Sequence, residues 1–270
     1  MSSTTELTGA HKSAVVTGAA QGIGRSIAIR LAQDGYNLAL NDLPVNKPQL
    51  EELAAEITNT HPLKGSSQGP FAHIIVGDVS DSATVQKIVN ETASTFGSLD
   101  VMVANAGFMR LGPVQDINED DYEKVMAINA RGTMLCFKYA GQQMIKQGKG
   151  GSLIAASSTS GRQGHALTAS YTMSKFAIRG LVHVTALDLG RFGIRCNAYA
   201  PGPVETQLTR DAALVLFKDL PPGEPPKFDR ALPGEASTMD VANLVAFLAS
   251  PQSSFITGQT YGICGGFYLN

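Results

Sequence analysis

Ser158, Tyr171 and Lys175 are the residues whose types and spacing best suit chemistry. Ser158 closes the run Gly151-Ser-Leu-Ile-Ala-Ala-Ser-Ser158, and Tyr171-Thr-Met-Ser-Lys175 begins 13 positions later. Residues 152–156 read as a short buried parallel strand that ends in two hydroxyl residues. From about residue 170, Phe176, Ile178, Leu181, Val182, Thr185 and Leu189 fall at helical spacing. Tyr171 and Lys175 then stand one turn apart on a single face. An ammonium beside a phenol favours the phenolate and lowers its pKa from about 10. The expectation is a Tyr171 able to give and take a proton near neutrality, with a serine hydroxyl holding the substrate oxygen.

A pair like this needs a partner site, and the chain supplies one earlier. Ser13-Ala-Val-Val-Thr17 reads as a strand running into Gly18-Ala-Ala-Gln21-Gly22-Ile23-Gly24. A helix from about 23 to 34 follows, with Ile23, Ile27, Ala28, Leu31 and Ala32 on its apolar face and Gly35 at its stop. Strand, glycine turn and helix form the setting in which backbone N–H groups and a helix amino end hold a pyrophosphate. The spacing is Gly-x-x-x-Gly-x-Gly. A second strand, 36–42, ends in Asp42, 18 residues past Gly24. A carboxylate there suits the ribose hydroxyls of NAD and repels a 2′-phosphate, although Lys47 stands close by.

The remaining elements repeat that order. A helix opens at Pro48 and runs to about Asn59, and residues 61–70 read as a surface connection. Strand 71–76 leads to Gly77-Asp78-Val79, where Asp78 either bonds an adenine amine or helps cap the next helix. Leu99-Asp-Val-Met-Val103 precedes Ala104-Asn105-Ala106-Gly107, small residues that let a flat ligand lie against the backbone. A long helix is expected over 119–144, with Asn129 among apolar neighbours as a structural bridge or a relay member. Strand 194–200 stops at Pro201-Gly202. Residues 202–237 read as a proline-rich irregular lid with one apolar segment, 212–217. A helix over 237–250 and a strand over 260–263 finish the chain.

The β-α order predicts a single-domain, Rossmann-like, doubly wound α/β fold over 12–270, after a flexible tail at 1–11. The sheet should be open and mostly parallel, of about seven strands, with helices on both faces and ligands at the strands' carboxyl ends.

Composition agrees with a globular chain of 270 residues: 43% apolar, 16% charged, net charge −2. No basic patch points to nucleic acid, and no apolar run approaches a membrane span. Cys136, Cys196 and Cys264 are odd in number and far apart, which fits a reducing, cytoplasmic setting. His11, His61, His73, His165 and His183 make no metal-ligand spacing, so a metal-dependent alcohol dehydrogenase is not expected. His165 falls between Ser158 and Tyr171 and reads as an exposed loop histidine.

Together these motifs resemble the short-chain dehydrogenase/reductase family from about residue 12 to the chain's end. The resemblance implies Tyr171 as acid/base, Ser158 as the residue orienting the substrate oxygen, and Lys175 as a ligand of the nicotinamide ribose. The 13-residue offset favours Ser158 over its neighbour Ser157. Asn129 would order a relay water, and Pro201, Gly202, Val204 and Thr206 would line the nicotinamide and phosphates. Ala104 departs from the family's usual Asn, and Cys264 from its usual Asp. Gly18–Gly24, Asp42 and Ser174–Gly180 look most similar to acetoin/diacetyl reductases and butanediol dehydrogenases, with sugar-alcohol dehydrogenases close behind. Gln21 stands where NADP-preferring relatives often carry Arg or Lys, which favours NAD over NADP. The implied activity is hydride exchange with a small secondary alcohol or ketone. A reductase of 3-oxoacyl thioesters or bulky cyclic ketones is the alternative, and a non-catalytic NAD-sensing scaffold is a third. A homotetramer or dimer is also implied, through the long helices at 119–144 and 171–190.

Overall fold

The computed structural model describes residues 12–65, 70–216 and 230–269. The expected tail at 1–11 and the lid stretch 217–229 lie outside the described residues.

Side chains that alternate along buried strands decide the architecture. The elements run β1 (Ser13–Thr17), α1 (Gly22–Gln33), β2 (Asn37–Asp42), α2 (Lys47–Thr60), β3 (Ala72–Val76), α3 (Ser82–Phe96), β4 (Val101–Ala104) and α4 (Glu119–Met126). They continue with α5 (Gly132–Gln147), β5 (Gly151–Ala156), α6 (Ala169–Leu189), β6 (Ile194–Pro201), α7 (Gln207–Leu216), α8 (Thr238–Ala249) and β7 (Thr260–Ile263). The seven strands form one sheet in the order β3-β2-β1-β4-β5-β6-β7, with every neighbouring pair parallel. Val15, Ala39, Met102, Leu153 and Ala198 face α3, α5 and α6. Ala14, Val16, Leu40, Val103 and Ile154 face α1, α2 and α8. Each fully buried Leu or Ile in these layers contributes about 1.5–3 kcal/mol. That is why short apolar strands hold a sheet too buried to solvate its own backbone.

The order in which strands are added reverses between β1 and β4, so the loops after those strands open apart and leave a crevice. The glycine turn after β1 and Asn105–Gly107 after β4 flank it.

Three expectations change. The long helix is broken into α4 and α5 by a π-turn over Ala127–Arg131 that holds Asn129, a wide turn of the kind concentrated at functional sites. Residues 207–216, expected to be irregular, form α7. His61, expected on a surface connection, is buried and stacked on Phe71 with ring centres 4.0 Å apart.

Candidate active site

The glycine turn is built by close approach. Gly18 and Gly22 have φ of +64° and +57°, a region that penalises any side chain. A Cβ on Gly24 would sit 2.0 Å from the Gly18 carbonyl oxygen, and one on Gly18 would sit 2.9 Å from the Ala106 Cα. The chain here must therefore be bare, and its N–H groups lie at the amino end of α1. Gln21 is the exposed N-cap of α1 and makes no side-chain capping bond, while Ile23 packs against the core. Thr17 ties this turn to β4: its hydroxyl accepts from the Asn105 and Ala106 amides at 3.0 and 3.1 Å. Asn105 Nδ2 donates back to the Thr17 and Gly18 carbonyls at 2.9 and 3.2 Å. A cradle that added Cβ atoms would fill, at a helix amino end, fits a pyrophosphate.

Asp42 sits at the end of β2 beside that cradle. One carboxylate oxygen accepts from the Ala20 amide at 3.0 Å, and the other from the Leu43 amide and Asn46 Nδ2, both at 2.8 Å. The half-buried carboxylate is held in place and retains acceptor capacity for a ribose hydroxyl. Asp78 is exposed and accepts from the Ser80 amide at 2.8 Å. The capping side chain of α3 is Asp81, which accepts from Ala83 and Thr84. Asp78 therefore does not cap α3, and Val79 beside it is buried.

At the other end of the crevice, the two serines after β5 separate. The Ser157 hydroxyl is buried and donates to the Lys175 carbonyl at 3.2 Å. The Ser158 side chain instead bonds the Tyr171 phenol and also accepts from the Ser160 amide at 3.1 Å. Lys175 Nζ donates to the Ala156 carbonyl at 2.8 Å and lies 5.4 Å from the centre of the Tyr171 ring. Gly107 adjoins both groups behind them: a Cβ there would lie 3.5 Å from Lys175 Nζ and 3.6 Å from Asn129 Oδ1. Asn129 is fully buried and satisfied, accepting from the Phe108 amide at 2.8 Å. Its Nδ2 donates to the Phe108 carbonyl at 2.8 Å and the Ser174 hydroxyl at 2.9 Å. As a bridge it joins the β4 loop to α6.

The proton chemistry differs from the sequence expectation. Burial raises the Tyr171 phenol above its ordinary value, with the Ser158 bond pulling the other way. Burial also pushes the Lys175 amine down to about 8. Helical spacing foretold the neighbours but not their desolvation, which disfavours the charged form of each. The Tyr171 phenol therefore holds its proton, beside Ser158.

The loop after β6 closes the crevice. Pro201 and Val204 are buried, and the Gly202 amide donates to the Ile263 carbonyl at 3.1 Å. Thr206 bonds Thr209, and its methyl would stand 3.4 Å from a Cβ on Gly22, so this loop lies against the glycine turn. His165 is half-buried and stacked on Phe267 with ring centres 5.9 Å apart, and burial lowers its pKa. It lines a pocket of about 380 Å³ with Val114, Leu167 and Thr172. Among the described residues, no group of histidine, cysteine and acidic side chains could hold a metal ion. No helix there is long and apolar enough to cross a membrane.

A family model described as enoyl-(acyl carrier protein) reductase matches residues 18–268. A short-chain dehydrogenase/reductase of Hericium erinaceus is 44% identical over 255 residues, covering 94% of this chain and 96% of that protein. The chain belongs to the short-chain dehydrogenase/reductase family. Its members bind a nicotinamide cofactor, and this one is an oxidoreductase of that family. The sorbitol dehydrogenase of Cereibacter sphaeroides is 34% identical over 266 residues, covering 96% and 98% of the two chains. The solved levodione reductase superposes with a TM-score of 0.87 at 29% identity, covering 95% and 97%. Tyr199, whose hydroxyl donates to Asn105 Oδ1 at 2.8 Å, was not singled out from sequence, and Thr17, which gathers two amides, was read there only as the strand end before the glycines. That position was its signal.

Proposed function

We propose that the protein is an NAD(H)-dependent oxidoreductase that interconverts a secondary alcohol and its ketone. The observation that carries this reading is the Ser158–Tyr171 hydrogen bond with the Lys175 ammonium 5.4 Å from the phenol ring. Bound along the crevice, the nicotinamide supplies the hydride chemistry. The glycine turn, with Gly18, Gly22 and Gly24, and Thr206 would hold its pyrophosphate. Asp42 would hold the adenosine ribose, and Asp78 and Val79 the adenine. Asn105, Ala106, Gly107, Pro201, Gly202 and Val204 would line the inner half, and Lys175 would bond the second ribose. Ser158 orients the substrate oxygen, and Tyr171 gives its proton to that oxygen in reduction and takes it back in oxidation. Asn129 supports the relay behind Lys175.

Within this reading, small hydroxyketones and diketones such as acetoin and diacetyl, 2,3-butanediol and sugar alcohols are the first substrates to try. A second reading, a reductase of 3-oxoacyl thioesters or bulky cyclic ketones, draws on the enoyl-reductase description of the family model. It also draws on α7, which exposes Leu214 and Val215. Exposed Met173, Phe176, Val184 and Leu187 on α6 support a homo-oligomer.

The experiment is turnover of NADH and NADPH over a panel of diketones, hydroxyketones, sugars and oxoacyl thioesters, run beside Tyr171→Phe. Tyr171→Phe is expected to lose at least about a hundredfold in kcat while still binding NADH. Undiminished turnover in that variant rejects the assignment.

A further inference from the structure

An asparagine amide has donor and acceptor ends of nearly the same shape, so only its hydrogen bonds distinguish the two orientations. At Asn105 one end faces the Thr17 and Gly18 carbonyls, at 2.9 and 3.2 Å, and must be the NH2. The other end is Oδ1, which needs a donor, and the hydroxyl of Tyr199 supplies it at 2.8 Å. We propose that Tyr199 is a positioning residue for dinucleotide binding, acting through Asn105 on the glycine turn. The proposal rests on the cofactor reading above.

Reach explains why a tyrosine does this. Tyr199 lies on β6, and Asn105 follows β4, with β5 between them. Two strand spacings amount to about 9.6 Å, beyond the reach of a serine or threonine hydroxyl. The register partner of Tyr199 on β5 is Ala156, small enough for a ring to lie across. Tyr199 is fully buried, and burial raises its phenol well above the ordinary value, so the hydroxyl stays a donor at any working pH. The amide it fixes is tightly placed: a Cβ on Gly24 would meet Asn105 Nδ2 at 2.6 Å and one on Gly18 at 3.1 Å. Tilting that amide moves the Gly18 carbonyl and the N–H groups next to it, which are the pyrophosphate donors. Tyr199 itself faces the layer of α1, α2 and α8. Its hydroxyl bonds Asn105 and makes no hydrogen bond to Tyr171, which acts on it only through the field, so its effect should fall on cofactor affinity more than on proton transfer.

The test is NADH binding followed by fluorescence on the full-length protein, with steady-state kinetics alongside. Tyr199→Phe keeps the ring and removes the donor. It should raise the NADH Kd about tenfold, with kcat at saturating NADH within about twofold of the parent. Asn105→Ala should weaken binding at least as much, and the double variant should weaken it no further. A Kd for Tyr199→Phe within about twofold of the parent overturns the proposal. So do losses that multiply in the double variant, or a fall in kcat in place of affinity. Thermal melts establish that the variants fold, and Tyr199→Met is the second hydroxyl-free variant if Tyr199→Phe does not. A parent protein that binds neither NADH nor NADPH sinks the cofactor reading instead.

Discussion

Replacing Asn129 with alanine tests whether the π-turn residue is the bridge its geometry describes. Three hydrogen bonds go with the side chain: one accepted from the Phe108 amide at 2.8 Å, and two donated at 2.8 and 2.9 Å. Each contributes about 1 kcal/mol net, so their loss costs roughly 3 kcal/mol. For a domain of this size that lowers the Tm by roughly 6–12 °C. Urea unfolding followed by far-ultraviolet circular dichroism should give a lower midpoint at unchanged slope. The loosened Phe108 also frees Gly107, which adjoins Lys175, so kcat should fall alongside stability. The variant Asn129→Asp sets a fully buried carboxyl group against the Phe108 carbonyl and should destabilise at least as much as alanine. A destabilisation below about 1 kcal/mol with kcat intact would refute the bridging argument.

Asp42→Ala removes the carboxylate that would repel a 2′-phosphate and should erode the preference for NADH over NADPH; an unchanged ratio removes Asp42 from the cofactor site. Ser158→Ala should lower kcat at least about tenfold, while Ser157→Ala, which loses only a bond to the α6 backbone, should act on the melting temperature. The opposite pattern would exchange the two serines' roles. His61 supplies a pH test, because burial lowers its pKa below the ordinary value. Between that lowered pKa and about 6.5 the unfolded chain holds more protons on this ring than the folded one. Stability from His61 is therefore present above about 6.5 and lost as pH falls below it. The Tm should drop between pH 7.5 and 5.5 by more in the parent than in His61→Gln, as read by differential scanning calorimetry at both pH values. Equal drops would show that other groups carry the acid sensitivity.

Strand and helix order were legible in the chain because period and punctuation agree. Val15 and Val16 on alternate faces, Gly35 after α1 and Gly202 after β6 all mark boundaries that local chemistry enforces. The glycine turn was legible for the same reason: positive φ and close approach exclude other residues at Gly18 and Gly22. Helical spacing likewise determined that Tyr171 and Lys175 would be neighbours. Tertiary structure decided what that neighbourhood does to their protons. Desolvation depends on everything packed around a group, and at Tyr171 it outweighed the Ser158 hydrogen bond while also pushing the Lys175 amine down. Periodicity runs straight through a π-turn, so the break at Asn129 was hidden, and flanking prolines masked α7. The 13-residue offset favoured Ser158 by resemblance alone; the physical difference, that Ser157 meets α6's backbone while Ser158 meets its phenol, came only with the tertiary structure. Tyr199 and Asn105 are joined across two strand spacings, a contact that exists only once the sheet order is set.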